Sequence, residues 1–143
     1  MTTREEFSEL LSHADPTRLI DIADRCLADA DSAEFTIVRG PEVGTVATQV
    51  REPVAGTRFL LTDVLVSSAE ISLAGTAGWG MRLGDDRAAV LAQAVCEAEL
   101  ARSGAYAAEL RDLCTEVATR QRVDRVTEWE RLGPTVVEFE EIP

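Results

Sequence analysis

His13 is the only histidine among the 143 residues, so any Ser-His-Asp or Cys-His device would have to be built on it. It closes a helical pattern just ahead of Asp15-Pro16, and a polar residue at a helix end accounts for it without chemistry. Cys26, Cys96 and Cys114 are odd in number, far apart and each set inside a helical pattern, which reads as small buried core residues in a reducing compartment. One histidine and scattered cysteines make a self-contained zinc site a poor expectation. Ser67-Ser68 has no base beside it and reads as two alternating strand hydroxyls. All 14 basic residues are arginine, so Schiff-base, phosphate-loop and general-base lysine chemistry is excluded. Asparagine is missing too, and codon bias explains both absences.

Three short constellations combine glycine with charge. Gly40-Pro41-Glu42-Val43-Gly44, entered by Arg39, reads as a hairpin turn with Gly44 at a positive φ and an Arg39–Glu42 surface ion pair worth ~0 to 1 kcal/mol. Gly56-Thr57-Arg58-Phe59, followed by Asp63, puts a guanidinium beside a flexible glycine at a strand entry. Its planar fork suits a phosphate or an acidic neighbour equally. Gly84-Asp85-Asp86-Arg87 opens a helix, but its carboxylates occupy the positive end that a phosphate would need, so Asp86 is read as the cap.

The elements that must carry these groups follow from periodicity. Thr3 and Glu6 have capping-box spacing ahead of Phe7, Leu10 and Leu11. Asp15-Pro16 starts a second helix whose stripe is Leu19, Ile22, Ala23, Cys26 and Leu27. From Phe35 the period shortens toward two, predicting strands over 35–39, 44–50, 57–61, 65–73 and 77–83, with a tight hairpin at Ala74-Gly75-Thr76. Gly78 and Gly80 around Trp79 predict close backbone approach or a bulge. An alanine-rich helix from Arg87 to about Ser103 and a last one from about Tyr106 to Arg131 follow; the stripe of the last slips in phase near Arg120, predicting a kink or a change of packing partner. Val136, Val137 and Phe139 could form a terminal edge strand. The order predicts one α+β domain over 1–143, an antiparallel sheet of about five to six short strands with two N-terminal and two C-terminal helices.

The net charge of −12 is concentrated in two acidic flanks around a neutral middle. That field opposes nucleic acid and anionic membrane unless a local arginine cluster overrides it, and favours a basic protein partner. There is no run of about 20 apolar residues and no signal-like start, so a cytoplasmic location is expected.

Taken as an ordered set, Ile37 to Gly44, Gly56 to Asp63, Gly78-Trp79-Gly80 and Gly84 to Arg87 resemble the G subunit of the bacterial carbon-phosphorus lyase machinery, the PhnG family, over roughly residues 5–140. The resemblance implies a subunit that works with I-type, H-type and L-type partners, in a core that also holds J and K. The implied reaction starts from ATP and an alkylphosphonate: the phosphonate oxygen displaces adenine at the ribose anomeric carbon, giving α-D-ribose 1-methylphosphonate 5-triphosphate. ATP is thereby a substrate of the complex, with no cofactor bound by this chain alone. Arg39 and Arg58 are the expected anion or interface contacts, Glu42 and Asp63 position them, Asp86 caps the following helix, and Arg87 stands beside it.

Three departures set this chain apart from the family pattern. Family members typically carry Thr-Arg where Ser67-Ser68 stands, arginine at Ser72, and Gln-Gly-Arg-Asp-Lys where Leu83 to Arg87 is found, so Ser68, Ser72 and Asp85 replace basic residues. Losing one partner of a buried charged pair costs on the order of 3 kcal/mol, so such contacts would need compensation elsewhere. Without partners, Trp79 and the alanine-rich helix would leave apolar surface open to self-association as a homo-oligomer. The competing expectation is an acidic, non-enzymatic binding or scaffold protein of α+β fold.

Overall fold

The structure, a computed structural model, describes residues 3–31 and 34–137. Helix α1 (Arg4–Ser12) is opened by the expected capping box: Thr3 accepts from Glu6 N (3.2 Å), and the Glu6 carboxylate accepts from Thr3 N (2.6 Å). Helix α2 (Pro16–Asp29) starts on Asp15, whose carboxylate accepts from Arg18 N. The sheet has three antiparallel strands in the order β1 (Phe35–Arg51), β2 (Arg58–Leu73) and β3 (Thr76–Leu83). Helices α3 (Arg87–Ala101) and α4 (Ala107–Leu132) complete the α+β domain, and a single 3₁₀ turn follows at Gly133–Thr135.

The strand count corrects the expectation of five to six short strands. Two pairs of predicted segments fuse into β1 and β2, because the sequence read as a turn at Gly40–Gly44 stays paired with β2 through register shifts. Gly40 takes the positive φ (+74°), Glu42 lies opposite Ser68, and Gly44 sits in the ladder opposite Val66. Proline is tolerated because β1 is an edge strand and the ladder already bulges there. The expected reversal after β2 does form: Ala74 and Gly75, both at positive φ, connect it to β3 in two residues.

α3 is the centre of the core, packed between the sheet on one side and α2 on the other. Its alanines let the layers approach closely. A side chain at Gly78 would run into the Ala94 carbonyl and the Ala98 methyl, and one at Gly80 into the Val90 carbonyl, which is the close approach that these glycines announce. Buried Ala69, Ile71 and Leu73 of β2 alternate toward α3, with Leu19, Ile22 and Cys26 of α2 and Leu110, Leu113 and Val117 of α4 in the same cluster. The three cysteines are buried and unpaired. Burial pushes their thiols up, Cys26 to about 12 and Cys114 to about 11.

Both ends of the long elements leave this core. α4 has no buried residue after Val117, so the phase slip marks a change of surroundings: Val123, Val126 and Trp129 face outward on an uninterrupted helix. β1 and β2 run past β3 as a two-stranded ribbon, since β3 reaches only Val66 of β2. The expected terminal strand is absent at Val136 and Val137, and Phe139 lies outside the described residues.

Candidate functional site

The ribbon is ordered at its tip by Glu52. Its carboxylate accepts from Ala55 N (2.7 Å) and also from Val54 N, and its own N–H donates to Thr57 O (2.9 Å). Gly56 closes the turn at φ +70°. The reversal sets Arg51 directly opposite Arg58, two like charges where an opposite pair would be favourable. The Arg51 guanidinium donates to Gly56 O (3.2 Å), and among the described residues no carboxylate pairs with Arg58. Between tip and core, Leu60 is 65% exposed and Leu61 58%, with Phe59, Leu65 and Val46 also uncovered. Asp63 stands in this stretch opposite Ala47 and does not meet Arg58.

Arg39 lies about a dozen residues back along β1, so roughly 40 Å of strand separates it from the tip. Its guanidinium faces Glu70 across the ladder (3.5 Å) and Glu42 along the strand (3.9 Å), all three exposed. The expected Arg39–Glu42 contact therefore exists, with Glu70 as the nearer carboxylate. Asp86 caps α3 by accepting from Ala89 N (2.9 Å), and exposed Arg87 starts that helix. The six sequence candidates thus occupy three places: mid-strand on β1, the ribbon, and the start of α3.

Sequence reasoning missed an ionic cluster inside the fold. The Glu97 carboxylate, 3% exposed, accepts from both Arg4 Nε and Nη2 (2.9 Å) and from Trp79 N (3.1 Å), while Arg4 Nη2 also reaches Ala77 O (2.6 Å). Arg4 and Glu97 thereby satisfy backbone on the outer edge of β3. The hydrogen bond from Arg4 to Glu97 holds the guanidinium above its ordinary range. Arg82, whose affinity for its proton is lowered by burial, donates to Leu11 O (2.7 Å) and Ala14 O (2.8 Å) and so closes the C-terminus of α1. Glu99, fully buried, accepts from Arg102 Nε (2.6 Å) and Tyr106 N (3.0 Å) and fastens the α3–α4 connection. The one signal available was an acid at Glu97 and at Glu99 between Cys96, Ala98 and Leu100, where an apolar helix should carry none.

Beside this cluster an open groove of about 740 Å³ separates α1 from β3, floored by Val66, Trp79, Met81 and Leu83. His13 lines it, but its hydrogen bonds run through backbone: its N–H to Leu10 O, and its carbonyl from Arg120 Nη2 (3.0 Å). Ser12 Oγ is spent on Glu9 O (2.6 Å). Ser67 is buried and donates to Asp86 O, in keeping with a structural hydroxyl. Among the described residues no cluster of three His, Cys, Asp or Glu could hold a metal ion, and no helix is long and apolar enough to cross a membrane.

These features define a class: a small α+β domain with a closed, alanine-rich centre and uncovered apolar and cationic projections. The chain belongs to the PhnG family, since the family model described as phosphonate metabolism protein PhnG matches residues 2–142. That membership places it in phosphonate metabolism. Comparison with curated proteins gives no match.

Proposed function

We propose that this chain is a non-autonomous subunit of the carbon-phosphorus lyase system, acting in the step that transfers the ribose 5-triphosphate of ATP to an alkylphosphonate. In that step a phosphonate oxygen bonds to the ribose anomeric carbon as the bond to adenine breaks. The electron pair leaves on the base nitrogen, which ends protonated. The chain supplies surface and charge to a pocket completed by its partners, chiefly the I-type subunit, with H-, L-, J- and K-type subunits in the wider assembly.

The observation that carries this reading is the ribbon beyond β3. It holds Phe59, Leu60, Leu61 and Leu65 in water and ends in Arg51 and Arg58. Apolar surface of this kind marks an interaction site. Arg58 is the better anion contact of the two sequence candidates, since Arg39 already faces two carboxylates. Glu42 belongs with Arg39, while Asp63 borders the apolar stretch.

Adenine release from ATP in the presence of methylphosphonate tests the reading. The purified chain alone is expected to release none, and omission of the chain from a reconstituted mixture with its I-type and other partners is expected to abolish turnover. Robust release by the chain alone, or unchanged release without it, overturns the proposal. Under the scaffold alternative the chain and its I-type partner would elute separately on size exclusion.

A further inference from the structure

The arginines of this acidic protein are mostly spoken for. Arg4, Arg18, Arg25, Arg39, Arg102 and Arg131 pair with carboxylates, and Arg51, Arg82 and Arg120 donate to backbone carbonyls. Arg111, Arg122 and Arg125 do neither among the described residues, yet all three line one groove of about 510 Å³ along the seam of α1 and α4. At about 100° per residue these positions fall within an arc of about 60°, one stripe of the helix. Arg111 lies toward one end of the stripe and Arg122 and Arg125 toward the other, with Ala118 and its small side chain between them in the groove lining. Half-buried Phe7 and Leu10 of α1 form its apolar wall. Of the acids on α4, Glu109 binds Arg25 and Glu116 binds Arg18, both on α2, and Glu128 binds Arg131; among the described residues no ion pair joins Asp112, Asp124 or Glu130 to this stripe.

We propose that Arg111, Arg122 and Arg125 form a binding site for a small oligophosphate anion, an inorganic triphosphate or the triphosphate of a nucleotide. Three guanidinium forks that line one groove and enter no ion pair among the described residues fit several phosphate oxygens. The size of the ligand follows from the surroundings. The cationic stripe spans only ~21 Å of helix axis and lines a single groove. A long polyanion would overrun it onto a surface that carries the rest of a net charge of −12. A compact anion stays within the stripe, and the apolar wall leaves room for a base beside the phosphates. The site deepens the reading above, whose reaction consumes a triphosphate, but its chemistry stands on the arginines and is measurable on the isolated chain.

Calorimetric titration of the full chain with inorganic tripolyphosphate, ATP and AMP tests it. Tripolyphosphate is expected to bind and to weaken with salt, with AMP at least about tenfold weaker. ATP equal to tripolyphosphate identifies the phosphates alone as the ligand; ATP about tenfold tighter adds the base against Phe7 and Leu10. The double variant Arg122→Gln/Arg125→Gln should lose at least about tenfold in affinity with unchanged thermal unfolding, whereas Arg131→Gln, on the same helix but paired with Glu128, should bind like the parent. The inference is overturned by no binding at millimolar tripolyphosphate, by equal binding in the double variant, by equal loss in Arg131→Gln, or by a poly-glutamate peptide binding more tightly than tripolyphosphate. Because binding is read without partners and turnover only with them, bound tripolyphosphate with no contribution to adenine release would sink the functional proposal and leave this one standing.

Discussion

α3 and the β1–β2 ribbon are both rich in apolar residues, and they use them in opposite ways. Every residue of α3 from Ala89 to Leu100 is buried except half-buried Leu91, and its small side chains are matched by glycines on β3. The ribbon carries larger side chains, Phe59, Leu60, Leu61 and Leu65, with nothing over them. Apolar content alone therefore does not separate core from interface. What separates them is residue size and packing partners: alanine where layers must touch, leucine and phenylalanine where a second surface can be received.

Glycine replacement should break the comparison most visibly. Gly78→Val would force side-chain atoms into the Ala94 carbonyl, and a loss of at least ~3 kcal/mol in denaturant unfolding is expected, short of failure to fold. Gly44→Ala, on β1 where the ribbon begins, with no atom within 4 Å of the added carbon, should stay within about 0.5 kcal/mol of the parent. Equal effects would mean that β3 and α3 are not the closely packed pair described.

Leucine truncation sharpens the contrast at a smaller scale. Leu110→Ala removes a fully buried side chain and should cost about 2–5 kcal/mol. Leu61→Ala should leave the isolated chain within about 0.5 kcal/mol, yet weaken co-elution with the I-type partner under the proposed function. A ribbon variant that unfolds the chain as much as the core variant would place the ribbon inside the core.

The smallest expected effect is electrostatic. The hydrogen bond from Arg25 holds the Glu109 carboxyl below its ordinary value of 4.5. A folded value below the unfolded one gives stability that is present above the ordinary value and is lost as pH falls through the folded value. Both side chains are about two-fifths exposed, so the loss is modest. Denaturant midpoints compared near neutral pH and near pH ~3 should fall less in Arg25→Gln than in the parent. An identical fall in both would detach that pair from acid stability.

Much of the local architecture was legible because its causes are local. Thr3 with Glu6, Asp15 with Pro16, and Asp86 announce helix starts, and all three cap as expected. Gly78 and Gly80 announced the approach of another backbone. The fusion of short strands was hidden because Gly40-Pro41 carries strong turn signals, whereas the pairing that overrides them comes from β2, some 30 residues on. Arg4 and Glu97 are 93 residues apart, and no spacing rule connects them. The Arg111, Arg122 and Arg125 stripe is written in helical period, but only the docking of α1 beside α4 turns it into the rim of a groove.

The outer side of β1 has one further consequence, for the chain on its own. An edge strand of 17 residues offers a long row of amide and carbonyl groups to any stray strand, the usual starting point of fibrous aggregation. Pro41 has no amide to contribute, and the breaks in register on either side of Arg39 and between Thr48 and Gln49 divide the row into unequal lengths. The isolated chain thus presents short templates instead of one continuous template, a safeguard that Pro41→Val would weaken.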